Sequence, residues 1–245
     1  MTISSMALAS GPFGPPQTVS REDGGLNTAI GYWYHEDTFK NETDHTIRQN
    51  QIYSQVAYGA KNIWEIYGRV GISDLKFFDA FTSTGLTTSN KLDFEENWKF
   101  FGTLGAKGFF PFNKIIGIGA FIQGTYHFSN YTDDVSGSDN LIPYTAELKI
   151  KNLWDVNCGM GLQVTAPFDI KFYAGPFVYY SAARASMSPN ISGLEYAAGN
   201  VKIRNKSIFG GFAGIDIPLF KSFHLNVESQ YAERFSAGAA VSLVY

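Results

Sequence analysis

The sequence has no run of about 18 apolar residues, the length a membrane-spanning helix requires, so any crossing of a membrane by this chain must be made by strands. Charge is scarce: Asp, Glu, Lys and Arg make up 17 % of the chain, against roughly 25 % in soluble domains. The net charge of −3 lacks the basic excess that nucleic-acid binding needs. A single cysteine, Cys158, excludes an internal disulfide and a cysteine-rich metal centre. No cysteine follows Leu8-Ala9-Ser10, which removes a lipid-anchored N-terminus. Helical periodicity is missing throughout, and no glycine loop of the phosphate-binding kind is present. No cofactor or metal is expected.

What the chain has in quantity is aromatic residues, 16 % of the total, and 25 glycines. Period-2 alternation recurs along it, the signature of strands with two unlike faces. Trp64, Ile66, Val70 and Ile72 oppose Glu65, Tyr67, Arg69 and Gly71. Ile116, Ile118, Ala120, Ile122, Tyr126 and Phe128 oppose Gly117, Gly119, Gln123, Thr125 and His127. Phe223, Leu225, Val227 and Tyr231 oppose His224, Asn226, Glu228 and Gln230. From Ala146 to Ala166 the alternation is continuous, with Glu147, Lys149, Lys151 and Asp155 on one face. Strands are predicted at 26–37, 46–60, 63–77, 97–110, 115–130, 144–166, 170–183, 201–217, 222–232 and 235–245. Pro176 falls inside one of them, and a bulge is expected there.

The connections alternate in length. Short turns are read at Lys61-Asn62, Pro111–Lys114, Pro167–Asp169 and Pro218–Lys221, and longer polar loops at Thr38–His45, Asp79–Asn97, Tyr131–Pro143 and Arg184–Asn200. Transmembrane barrels have this asymmetry, with short periplasmic turns and long extracellular loops. Aromatics gather near strand ends, Tyr32, Tyr34, Tyr126, Phe128, Tyr179 and Tyr180 toward the loops and Trp64, Phe110, Phe112, Phe172 and Phe223 toward the turns. These are the expected interfacial girdles. A closed barrel is also the only sheet that sits in lipid without bare edges. The reading is therefore an all-β, closed, antiparallel, up-and-down transmembrane barrel of about ten strands over residues 24–245. Residues 1–23 read as a signal-peptide remnant and a flexible tail: Ala7-Leu8-Ala9 fits a small-x-small cleavage site, although no basic region precedes it. Either the start codon is misplaced or Met1–Ser10 is a disordered end.

The last strand carries a resemblance. Phe235, Ala237, Ala239, Val241, Leu243 and Tyr245 alternate and end on an aromatic residue. This resembles the C-terminal signal of small bacterial outer-membrane β-barrel proteins, and no subfamily is identified. The resemblance implies insertion by the barrel-assembly machinery, with Leu243 and Tyr245 as the signal. It also implies residence in the outer membrane, with membrane lipid and lipopolysaccharide as neighbours.

With the apolar faces turned to lipid, the lumen-lining polar residues are Glu65, Arg69, Lys99, Lys107, His127, Glu147, Lys149, Lys151, Asp155, Lys171, Asp216, His224 and Glu228. They either line a narrow aqueous pore for small polar solutes or pair with one another and fill it. A structural or porin-like role is expected, with no catalytic residue. Two alternatives have named features. His127-Phe128-Ser129-Asn130 is similar to the His-x-Ser-Asn stretch of outer-membrane lipid A deacylases, which would make His127 a base and Ser129 a nucleophile. The other alternative is a surface adhesion or partner-binding barrel acting through its loops. An outer-membrane protease would call for paired aspartates near a histidine; Asp133-Asp134 is the one adjacent aspartate pair in the sequence, and it reads as a solvated loop.

Overall fold

The computed structural model of the chain describes residues 11–17, 24–40, 44–60, 63–81, 88–139, 142–191, 194–195, 199–220 and 222–245. The possible cleavage site and the turn residues Lys61, Asn62 and Lys221 lie outside the described residues.

Among the described residues, all the strands belong to one sheet of fourteen. They are β1 (Gly25–Lys40), β2 (Asp44–Ala60), β3 (Trp64–Phe77), β4 (Thr88–Ser89), β5 (Phe94–Pro111), β6 (Ile116–His127) and β7 (Tyr131–Asp139). β8 (Ile142–Thr165), β9 (Lys171–Ile191), β10 (Leu194–Glu195), β11 (Gly199–Arg204), β12 (Phe209–Pro218), β13 (Phe223–Tyr231) and β14 (Phe235–Val244) complete it. Every pairing is antiparallel, and β14 pairs with β1, so the path β1-β2-β3-β5-β6-β8-β9-β12-β13-β14 closes on itself. The excess over about ten strands comes from β4, β7, β10 and β11. β7 extends the line of β6 along β8, β11 extends that of β12 along β9, and two-residue β4 and β10 attach to β7 and β9. Much of what reads as loop, including Tyr131–Asp139, is thus sheet raised above the barrel.

Alternation decides which face is which. Ile30, Val56, Val70, Leu104, Ile122, Leu162, Val227 and Val241 are exposed on the outer wall. In water such a surface would be unfavourable by roughly 25 cal/mol per Å² of apolar area; in lipid it is the matching one. Exposed aromatics bound this band. Tyr32, Trp98, Tyr126 and Trp154 lie toward the loop end, and Trp64, Phe110, Phe172, Phe223 and Tyr245 toward the turn end. Tyr179 does not belong to the girdle: it faces inward and is buried, because its neighbour Tyr180 takes the outward position.

Two bulges interrupt the ladders, between Ser73 and Leu75 and between Lys151 and Trp154. Neither is at Pro176, where the β9 register with β12 runs on unchanged through Gly211. At the second bulge Asn152 takes a left-handed backbone, φ 50°, a conformation that Asn tolerates better than most side chains. One extra residue exchanges the two faces. Below the bulge Asp155 and Asn157 point inward. Above it Ala146, Leu148 and Ile150 do, packing with Ile47, Leu75, Phe94, Tyr131 and Ile203 into an apolar cluster at the loop end.

Candidate functional site

The inner wall is polar, but it is not empty. Residues Gly11–Gln17 lie inside the barrel, with Gly11, Pro12, Phe13, Pro15 and Pro16 buried. This part of the chain is not a loose tail. Proline has no N–H to offer a strand, so the segment cannot join the sheet and is bound by side chains instead. Gln17 lies lowest: its N–H donates to Gln163 Oε1 at 3.0 Å and Gln163 Nε2 donates back to Gln17 Oε1 at 2.9 Å. Higher up, Lys107 Nζ donates to the Pro15 carbonyl at 3.2 Å. The Gly11 carbonyl accepts from Gln123 and Gln230, both at 3.3 Å.

The centre of this binding site is Glu228. Its Oε1 accepts the N–H of Phe13 at 2.9 Å and the side-chain amide of Gln230 at 2.9 Å. Its Oε2 accepts the N–H of Gly14 at 2.9 Å and the hydroxyl of Tyr173 at 3.0 Å. Four donors around one carboxylate compensate its removal from water. Gly14 has φ 74°, a left-handed conformation that favours glycine and lets consecutive N–H groups converge on one acid. The Tyr173 ring lies flat over Gly214, where a Cβ would collide with it; this directs the hydroxyl to Glu228, while Asn226 donates to the same hydroxyl at 2.7 Å.

Beside the hub, Phe13 fills an aromatic cage. Its ring stacks on Phe121 at 3.8 Å and meets Phe177 and Phe212 edge-on at 5.3 and 5.2 Å. Above it, the Arg69 guanidinium sits between the Tyr53 and Tyr67 rings, 5.0 and 4.8 Å from their centroids, and Nε donates to Gln55 at 2.7 Å. The space left between the segment and the wall is about 40 Å³, room for a few waters at most.

Of the residues expected in the lumen, Glu65, Arg69, Lys107, His127, Asp155, Lys171, Asp216, His224 and Glu228 are buried on the inner face. Lys107 pairs with Glu65 at 3.2 Å, Asp216 with His224 at 3.0 Å, and Lys171 approaches Asp169 at 3.6 Å. Asn157 donates to Asp155 at 2.8 Å. Lys99 is half-buried near the loop end, 3.6 Å from Glu96. Glu147, Lys149 and Lys151 do not line the lumen. They lie above the bulge, where the parity is reversed, and Glu147 and Lys149 form a partly exposed ion pair on the outer surface. His127 and Ser129 are not brought together: His127 Nδ1 shares a 2.8 Å hydrogen bond with the Tyr131 hydroxyl, and Ser129 is exposed in the following turn rather than inside. Asp133 pairs with Lys91 and accepts the Glu95 N–H at 2.8 Å. Leu243 and Tyr245 stand on the outer face at the turn end, and the Tyr245 N–H donates to Leu26 at 3.0 Å. Phe13 and Tyr173 are residues of this site that alternation does not single out, whereas Gln123 stands on the polar face with Thr125 and His127. The one signal for Phe13 is an aromatic residue set among glycines and prolines.

No protein-family model and no curated protein matches this sequence. Solved structures do. The translocator domain of the autotransporter NalP from Neisseria meningitidis superposes with a TM-score of 0.50 at 12 % identity, over 90 % of this chain and 88 % of that one. The transport unit of the autotransporter AIDA-I from Escherichia coli gives 0.41 at 9 % identity, over 93 % and 91 %. An outer-membrane channel from Pseudomonas putida F1 gives 0.41 at 8 % identity, over 96 % and 100 %. At these identities the likeness is one of fold. By fold the chain is a closed antiparallel β-barrel, and its apolar outer wall is the surface that suits a barrel standing in lipid.

Proposed function

We propose that the chain is a porin-like barrel for small polar solutes whose lumen is held shut by its own Gly11–Gln17 segment. The observation that carries this is the way the segment is bound. It is held by hydrogen bonds to wall side chains and by one aromatic ring, not by strand pairing, so it can leave without opening the barrel wall. The wall it would uncover carries Glu65, Arg69, Lys107, Asp216 and Glu228, a polar surface suited to water and small hydrophilic molecules. The reading is non-enzymatic; the engagement of His127 with Tyr131 supports it.

Planar-bilayer recording tests the proposal. The intact protein is expected to show rare openings, and Phe13→Ala frequent ones, because truncating a ring buried on three sides costs about 3 kcal/mol of docking. A correctly assembled Phe13→Ala barrel that stays as silent as the parent would leave a structural role in place of a channel. We also propose that Leu243 and Tyr245 present the assembly signal to the insertion machinery and that lipopolysaccharide contacts the outer wall. Removal of Tyr245 should lower the heat-modifiable, membrane-inserted fraction in cells; an unchanged fraction would count against that role.

A further inference from the structure

The bulge at Asn152 gives the loop end an interior of the opposite character to the lumen beneath it. The apolar cluster there ties the raised sheet together. Beside it lies a pocket of about 170 Å³ that opens on the loop side. Phe77, Leu148, Ile150, Met187, Val201 and Ile203 line it. Its aromatic wall is the Phe77 ring, with the His45 ring 5.2 Å away at 41°. Val201 and Gly199 stay exposed at its rim, which leaves a way in from the loop side.

We propose that this cavity is a binding site for an uncharged, single-ring aromatic molecule. Three features point to that class. The volume is close to the roughly 150 Å³ that accommodates benzene in an enclosed apolar cavity, although this pocket opens on the loop side. The lining offers contact area and one aromatic wall for offset or edge-on packing. Among the described residues its lining holds no carboxylate, lysine or arginine, and His45 is its one titratable group, so an ionised ligand would give up its hydration for little return. The bulge places Leu148 and Ile150 on this inner wall, while Glu147 and Lys149 go to the outer surface. The site lies above the plug and does not depend on whether the lumen conducts.

The chain carries its own reporter and control. Met187 lines the cavity, and Met160 stands exposed on the outer wall. The full chain, labelled with ¹³C at its methionine methyls and held in lipid nanodiscs, is titrated with toluene and followed by NMR. The Met187 signal should move and saturate, while Met160 drifts in proportion to the toluene dissolved in the lipid. Ala185→Phe, which places a ring in the cavity, should abolish the saturable shift. Val201→Phe serves the same purpose if the first variant loses heat-modifiable migration. Benzoate, the charged counterpart, should leave Met187 where it is. The site is overturned if Met187 only drifts with Met160, or if a folded, cavity-filled variant keeps the saturable shift. It is equally overturned as an apolar site if benzoate binds as toluene does. Channel activity is not read in any arm, so failure here and failure of the channel proposal remain separate results.

Discussion

The Glu228 carboxylate accepts the backbone N–H of Phe13 at 2.9 Å across 215 positions of sequence. It is the contact by which the wall holds the plug, and the acid serves Gly14, Tyr173 and Gln230 as well. Glu228→Gln keeps the shape but turns one acceptor oxygen into an NH₂ group facing donors. Hydrogen bonds to a charged group are worth about 1.5–3 kcal/mol each, so a loss of about 3 kcal/mol is expected. With about 1.4 kcal/mol per factor of ten, the open fraction in single-channel recordings should rise about a hundredfold. An open fraction unchanged in a folded Glu228→Gln barrel would show that the acid does not hold the segment.

Arg69 offers a complementary prediction, on stability rather than on gating. Its planar guanidinium fits between Tyr53 and Tyr67 and directs Nε at Gln55. Lysine keeps the charge but loses the plane and the directed donor, so the exchange is not conservative at a stacked site. Arg69→Lys should destabilise the barrel by about 2 kcal/mol, from the desolvated stacking and the stranded glutamine. The midpoint of urea unfolding in detergent is the measurement. A shift no larger than that of a lipid-facing control such as Val70→Ala would contradict the role given to the sandwich.

Much of this was legible in the sequence because a transmembrane strand obeys one rule of period two along its length. Glu65, Arg69, Lys107, Asp216 and Glu228 face inward for that reason, and the turns and girdles said which face meets lipid. The rule fails where a single residue is inserted. Nothing in the run Ala146–Ala166 marks Asn152 as the point where parity reverses, so Lys149 and Lys151 read as lumen residues and are not. It is silent for Gly11–Gln17, where prolines remove periodicity and the binding energy comes from partners such as Glu228, more than 200 residues away. Pro176 misled in the opposite sense: the lost N–H is accommodated without a register change.

Asn152 makes the parity argument testable. A left-handed backbone costs most side chains about 1–2 kcal/mol, glycine excepted. Asn152→Gly should therefore be tolerated, while Asn152→Ile should destabilise the raised sheet by about that amount. Deletion of Asn152 is the sharper test, since it removes the extra residue: a regular ladder then keeps Leu148 and Ile150 inward and Lys149 and Lys151 outward, with Leu153 opposite Ala183. The deleted barrel should insert, because the membrane-level pairing of β8 with β6 lies below the bulge, and β7 and its neighbours should stay as protected from protease as in the parent. Protease sensitivity of that region in the deletion variant would contradict the assignment of Asn152 as the extra residue.

The ion cluster outside the membrane band sets a pH range for the loop end. Partial burial pushes the Asp93 carboxyl up, but the N–H of Asp79 at 3.0 Å and the Lys76 ammonium at 2.9 Å outweigh it and hold the group below its ordinary value. Lys76 is raised in turn, first by its hydrogen bond to Glu95 and then by Asp93. A lowered acid contributes stability that is present above its unfolded pKa of about 3.9 and lost as pH falls through the folded value. A raised base contributes stability that is complete below about 10.4 and lost as pH climbs through the folded value. The strand ends around Phe77 and Phe94 should thus be held between about pH 4 and pH 10 and loosen outside that range. The groups are largely solvated, so the effect is small and weakens further in salt. Hydrogen exchange at the β3–β5 loop end, compared at pH 3.5 and 6 after correction for intrinsic rates, should show faster opening at the lower pH. Lys76→Met should remove most of that difference, and a pH response that survives in the variant would assign it to other groups.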